Sequence, residues 1–225
     1  MIAAIHKHIQ RAEFDYQTLL DVLRDYGRPR DKISDLLRKG AIIRVKKGLY
    51  VLGDDHRRRP FALKLLANLI YGPSCVSLDS ALQHYGLIPE DVMAVTSVTT
   101  GRSRSFDTPV GRFTYRQIPL AAFRIGMDRV EETPGKAVLI ATAEKALADK
   151  IFDEHNIGAP TPGRMLNFLL NDLRLNEAGL KRLDPDFMLE IAGCYRSRKL
   201  NIVVRTPGEL VKRIHREQVL RLVGV

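Results

Sequence analysis

The segment DYQTLLDVLRDYGRPRDKISDLLRKGAIIRVKKGLYVL, Asp15 to Leu52, decides how the chain begins to fold. In Asp15–Tyr26 the apolar residues Tyr16, Leu19, Leu20, Leu23 and Tyr26 recur at helical spacing, with Asp21, Arg24 and Asp25 between them. Gly27 interrupts the pattern, and Pro29 stands where a first helical turn tolerates proline best. A second helix is predicted to run to about Lys39, burying Ile33, Leu36 and Leu37 and ending at Gly40. Ile42–Val45 and Leu49–Leu52 are β-prone runs joined by Lys46-Lys47-Gly48, a tight hairpin signal. Two helices, a short turn and a two-stranded ribbon follow the winged helix-turn-helix order.

The charges suit that motif. Arg28, Arg30 and Lys32 fall at the start of the second helix, the end that would enter a major groove, with Ser34 continuing its polar side. These four are the candidates for reading base edges. Arg38, Lys39, Arg44, Lys46 and Lys47 are the candidates for phosphate contacts, which bring affinity that falls with salt. Asp31 and Asp35 keep the face from being uniformly basic, although Asp31 near the helix start also suits the helix dipole.

Over 225 residues the formal charge is +10, and it is uneven. Residues 1–59 hold 14 Lys and Arg against 8 Asp and Glu, the remaining 166 hold 22 against 18, so the excess points to a polyanionic partner of the first part. Cys75 and Cys194 lack metal-ligand spacing and read as free thiols in a reducing cytosol. The opening MIAAIHKHIQ has no apolar core of signal-peptide length, and no run approaches a membrane span; a cytoplasmic protein is expected. That opening places Ile2, Ile5 and Ile9 on one stripe of a lead-in helix, with His6 and His8 as surface residues. No cofactor and no metal site are expected.

GDDHRRRP, Gly53 to Pro60, is polar and turn-rich and sets a boundary between a winged helix-turn-helix domain, residues 1–59, and a second domain, residues 60–225. The triple arginine Arg57–Arg59 either touches phosphates or is a solvated linker. Helices are predicted over Pro60–Tyr71, Ser77–Gly86 with Ser77 as cap, Thr142–Asp153 with Thr142 as cap, Met165–Leu173, Glu177–Leu183, Pro185–Gly193 and Glu209–Leu222. Strands are predicted over Val92–Thr99, near Phe106, over Gly111–Ile118, near Phe123–Met127, over Lys136–Ile140 and at Asn201–Val204. Helices around a small, mostly antiparallel sheet make the second domain α+β.

Catalytic constellations are not evident: the chain lacks a GxxxxGK loop, a GxSxG elbow and an HExxH helix. Ser77, Asp79 and His84 share one segment, but residues 77 and 84 of a helix lie two turns apart, too far for a nucleophile–base hydrogen bond. Glu144, Lys145 and Asp149 read as an ion-paired helix surface. Gly101-Arg102-Ser103-Arg104 either binds an anion or nucleic acid or is merely solvated. The last helix is basic and amphipathic; its Lys212, Arg213 and Arg216 would dock an acidic partner, lie on DNA, or stay in water while the helix packs on its own domain.

Three stretches together resemble the AbiEi-type antitoxins of abortive-infection (type IV) toxin–antitoxin systems. They are LLRKGAIIRVKKGLYVL (Leu36–Leu52), SLDSALQHYGLIP (Ser77–Pro89) followed by VTSVTTGRSRSF (Val95–Phe106), and ATAEKALADKIFD (Ala141–Asp153). Ala143 departs from the pattern, standing where proline often precedes Glu-Lys-Ala in that family. The resemblance implies a winged helix that binds repeats in its own operon's promoter and represses transcription; no heptad or dimer helix is evident, and a monomer or weak dimer binding cooperatively is expected. It also implies a second domain that supports cooperative repression and opposes a nucleotidyltransferase-like toxin; the lack of a catalytic constellation leads to the expectation that the chain is not an enzyme. Alternatives from other classes are a ligand-sensing winged-helix regulator without a toxin partner and an enzyme acting on nucleic acid.

Overall fold

A computed structural model describes residues 12–57, 60–89, 93–133, 135–155 and 160–205. The expected helices over 2–10 and 209–222, with Lys212, Arg213 and Arg216, lie outside the described residues, as do Arg58 and Arg59.

The first unit contains β1 (Glu13–Asp15), α1 (Tyr16–Val22), α2 (Pro29–Arg38), β2 (Ile42–Lys46) and β3 (Leu49–Leu52). Asp15 caps α1 by accepting from the Thr18 amide at 2.8 Å. The helix expected through Tyr26 ends at Val22. The Leu23 amide is shared between the carbonyls of Leu19 and Leu20, which tightens the last turn, and Tyr26 is exposed instead of continuing the stripe. Pro29 opens α2 as expected. Gly40 (φ +66°) closes it: the Ala41 amide reaches the Leu36 carbonyl and the Gly40 amide that of Leu37, a Schellman end.

The strands form an antiparallel sheet in the order β1-β3-β2. The short β1 adds a third strand to the two-stranded ribbon that the sequence predicts. One sheet face, through Phe14, Ile42, Tyr50 and Leu52, packs on Leu19 and Leu23 of the first helical segment and Ile33 and Leu36 of α2. The other face, through Val45, Leu49 and Val51, joins the core of the rest of the chain. Around this junction Glu13, almost fully buried, pairs with Lys136 at 2.9 Å and accepts from the Ala62 amide.

The second unit contains α3 (Leu63–Ile70), β4 (Ser74–Val76), α4 (Asp79–His84), β5 (Ala94–Thr99), β6 (Arg104–Thr108), β7 (Gly111–Gln117) and α5 (Leu120–Phe123). It continues with β8 (Met127–Thr133), β9 (Lys136–Ala141), α6 (Ala143–Asp153), α7 (Pro162–Asn167), a π-helical turn over Phe168–Asp172, α8 (Glu177–Leu180), α9 (Pro185–Gly193) and α10 (Arg198–Arg205).

The fold is α+β, with a six-stranded sheet in the order β6-β7-β5-β4-β9-β8. That sheet is mixed rather than small and mostly antiparallel: β5/β7 and β4/β9 run parallel, the other pairs antiparallel. The β6–β7 hairpin folds back so that its second strand lies against β5, and β9 reaches β4 from far along the chain. Neither pairing is inscribed in local periodicity. Helix α3 covers one face, where the Tyr115 hydroxyl donates to the Ala67 carbonyl at 2.7 Å.

Two segments differ from expectation. Asn201–Val204 is helical, part of α10, because Leu200, Val203 and Val204 bury there, and tertiary contact overrides the β-propensity of an Ile-Val-Val run. The extended segment expected near Phe123–Met127 is the end of α5 and a turn, with β8 starting at Met127.

Candidate nucleic-acid interface

Helix α2 is amphipathic. Ile33 and Leu36 point into the first core, so Arg28, Arg30, Asp31, Ser34 and Arg38 face solvent, with Lys32 and Asp35 at the margin. Asp35 is the hub of that surface, 3.8 Å from the Lys32 ammonium, 2.9 Å from the Arg38 guanidinium and 3.0 Å from the Lys39 ammonium. The Arg38 and Lys39 contacts hold its carboxyl at about 2, below the usual carboxylate range. A depressed folded-state value means that this stabilisation is present at neutral pH and lost as pH falls from near 3.8 toward about 2. Across the physiological range Asp35 is therefore a fixed anion.

Arg28 lies 3.9 Å from Asp31, and the Ser34 hydroxyl donates back to the Arg30 carbonyl at 3.2 Å, so neither group is wholly uncommitted. Arg30, Arg44 and Lys47 make no ion pair among the described residues. Lys46, placed with Lys47 at the hairpin tip by sequence, turns its ammonium onto the Ile70 carbonyl at the end of α3. The structure thus gathers Arg28, Arg30, Lys32, Ser34, Arg38 and Lys39 on or beside one helix. Arg44, Lys46 and Lys47 lie on the adjoining hairpin, with Lys46 tied to the second unit.

In the second unit, Ser77, Asp79 and His84 each have a different partner. Ser77 donates to Asp149 at 2.6 Å, Lys150 meets Asp79 at 2.9 Å, and the His84 Nδ1 lies 3.3 Å from the Lys64 ammonium. Ser77 does not cap α4. It sits before Leu78, whose backbone (φ +56°) is in a region unfavourable to a branched side chain. Thr96 clamps this turn, its hydroxyl donating to the Ser77 carbonyl at 2.6 Å and accepting from the Ser80 amide at 3.0 Å.

The expected ion-paired surface at Glu144, Lys145 and Asp149 is corrected for two of its members, because Lys145 and Asp149 are both 0% exposed. The Lys145 ammonium donates to Asp149 and to the Tyr195 hydroxyl, Tyr195 donates to Asp149, and Ser77 supplies a further donor. Burial first, then the Asp149 carboxylate, pushes the Tyr195 phenol upward, so it stays a donor. Burial likewise lifts the Cys75 thiol to about 12, keeping it neutral, while Cys194 is half-buried. Gly126 (φ +70°) lies against the lysine stem; a Cβ there would come within 2.7 Å of Lys145 Cβ.

This sealed cluster ties α6 to β4 and to the turn after α9. One hint lay in the sequence: Lys before Asp at i,i+4 is the less favourable order on an exposed helix.

An open cleft of about 790 Å³ lies between β7 and the end of α6, lined by Arg116, Asp153, His155 and Lys199 among others. Its cations are engaged: Arg116 with Asp153 at 3.2 Å, Lys199 with the Phe152 carbonyl at 2.8 Å. Among the described residues no three His, Cys, Asp or Glu side chains gather as metal ligands do, and no helix is long and apolar enough to cross a membrane.

The chain matches no family model and no curated protein. Among solved structures it is similar to the RV2827C protein of Mycobacterium tuberculosis, at 11% identity and a TM-score of 0.60, over 95% of this chain and 78% of that one. At that identity the likeness concerns the fold alone.

Proposed function

We propose that this chain is a cytoplasmic DNA-binding repressor of its own operon, with its first unit a winged helix-turn-helix. In this reading α2 is the recognition helix and the β2–β3 hairpin the wing. The observation that carries it is Arg30: an exposed arginine without an ion-pair partner in the first turn of a helix whose opposite side is buried. Arg28 and Lys32 flank it, and such a guanidinium can meet the O6 and N7 acceptors of guanine in a major groove. Following the resemblance to AbiEi-type antitoxins, the second unit supports cooperative binding by a monomer or weak dimer and opposes a nucleotidyltransferase-like toxin.

The test is a titration of the full chain against the DNA upstream of its own gene and against a shuffled duplex, at two salt concentrations. Salt-sensitive preference for the upstream DNA is expected; equal affinity for both duplexes would sink self-repression. The antitoxin part is tested by co-expression with a toxin gene adjoining this one, where restored growth is the expected result.

Asp35→Asn makes a sharper probe of the surface. Removing the anion frees Lys32, Arg38 and Lys39 for phosphates, so the variant should bind DNA more tightly, with a salt dependence steeper by about one to two units. An unchanged slope would place these cations away from the DNA.

A second reading, a regulator that senses a small ligand, rests on the open cleft between β7 and the end of α6. A thermal-shift screen of phosphate and carboxylate metabolites tests it.

A further inference from the structure

The wing is tied to the second unit at one point. Its Lys46 reaches the Ile70 carbonyl, and the next residue, Tyr71, is the seat of a basic loop of the second unit. The Tyr71 hydroxyl donates to the Arg102 carbonyl at 3.2 Å, and the Arg104 guanidinium stands 5.6 Å from the centre of the Tyr71 ring. Two consecutive residues, with Cα atoms about 3.8 Å apart, therefore join one cation of the wing, Lys46, to the loop that carries Arg102 and Arg104.

That loop is held firmly. The Thr99 hydroxyl donates to the Pro73 carbonyl at 2.7 Å and accepts from the Gly101 amide at 3.1 Å. The Ser103 hydroxyl accepts from the Gln117 amide at 2.9 Å. Gly101 packs so close to Tyr71 that a Cβ would lie 2.6 Å from the phenol oxygen. Tyr71 is itself braced by the rings of Phe106 and Tyr115.

The charge of the loop is uncompensated. Arg102 and Arg104 are exposed and make no ion pair among the described residues, and the run Met93–Phe106 contains no acidic residue. The neighbouring arginines of the same hairpin are paired: Arg112, near its turn, with Asp107 at 3.5 Å, and Arg116, beside the loop, with Asp153 at 3.2 Å. The Arg104 guanidinium held over Tyr71, with the exposed Arg102 on the same loop, offers the charge that a phosphate backbone accepts. Phosphates recur about every 3.4 Å of axis along one strand, so a backbone passing the wing tip has further charges to offer the next surface.

We infer that the loop Gly101–Arg104 of the second unit is a phosphate-binding extension of the wing, gripping the duplex beside the site read by α2. This rests on the DNA-binding reading above. The loop adds affinity and salt dependence but no base preference, because phosphate contacts carry no sequence information.

The test compares the full chain with Arg102→Ala/Arg104→Ala and Arg102→Lys/Arg104→Lys on the upstream duplex and the shuffled duplex. The alanine pair should flatten the plot of log affinity against log salt by about two units, at roughly 0.9 per phosphate lost, equally on both duplexes. The lysine pair should keep the wild-type slope, since a point charge suffices for counterion release. An unchanged slope for the alanine pair overturns the extension, while wild-type preference for the upstream duplex would still uphold the recognition helix. Conversely, loss of that preference in the wild type sinks self-repression, and the shuffled duplex still decides the loop. If the alanine pair leaves DNA binding intact but abolishes binding to polyglutamate, the loop is a protein-docking surface and the inference is wrong.

Discussion

Arg30→Ala is expected to cost about 1–3 kcal/mol on the upstream DNA and almost nothing on a shuffled duplex. Three features of the structure set this apart from an ordinary charge deletion. Arg30 follows Pro29 in the first turn of α2, the end that faces base edges when such a helix lies in a major groove. No carboxylate competes for it, in contrast to Arg38, which Asp35 holds at 2.9 Å. Its side chain touches no core, so folding should be unaffected and the loss belongs to binding. The readout is the affinity ratio between the two duplexes, measured by anisotropy at fixed salt. An equal loss on both would make Arg30 a phosphate contact; no loss on either would move the recognition surface off α2.

The largest stability effect is expected at Lys145. Removing one partner of a buried ion pair strands the other charge in low dielectric, and such deletions cost about 3–5 kcal/mol. For a chain of this size, each kcal/mol moves the melting temperature by about 2–4 °C. In Lys145→Ala the Asp149 carboxylate would keep Ser77 and Tyr195 as donors but lose its counter-charge, with both positions sealed from water. Lys145→Met/Asp149→Leu should recover part of the loss, because no charge is stranded. Two hydroxyls would still lack partners at about 1–3 kcal/mol each, so recovery stays incomplete. Denaturant unfolding of the two variants decides this. A Lys145→Ala loss below about 1 kcal/mol would mean that water or a neighbouring group satisfies Asp149 without the lysine.

Much of the first unit was legible from local pattern. Pro29 and Gly40 bracket α2, and Lys47-Gly48 separates two strands whose inward residues Ile42, Tyr50 and Leu52 face the helices. These features are read from neighbours a few positions apart, where turn chemistry and periodicity act. The α+β character of the second unit was legible for the same reason, as was the Thr142 cap of α6, whose hydroxyl accepts from the Lys145 amide.

What stayed hidden depends on distant partners. A sequence cannot say that β9 pairs with β4, or that Lys145 and Asp149 face Tyr195 some fifty positions on rather than water. Nor could periodicity reveal that Ile202-Val203-Val204 would coil into a helix. At the candidate interface Asp35 lies three or four positions from each of its cations, a spacing that any helix brings together, whereas Lys46 is drawn to a carbonyl of α3 that lies 24 positions on and that no local pattern reveals.

The small sheet of the first unit, apolar on both faces, limits how such a protein can be altered. Val45, Leu49 and Val51 lock into the core of the remaining chain, and Glu13 meets Lys136 beneath them. A fragment cut after the hairpin would present that bare face to water and tend to self-associate. A chimera that exchanges the first unit for another protein's would need to import a matching back surface as well. Substitution is tolerated without disturbing the joint between the units on the outer positions of α2, such as Arg30 and Ser34, which face solvent.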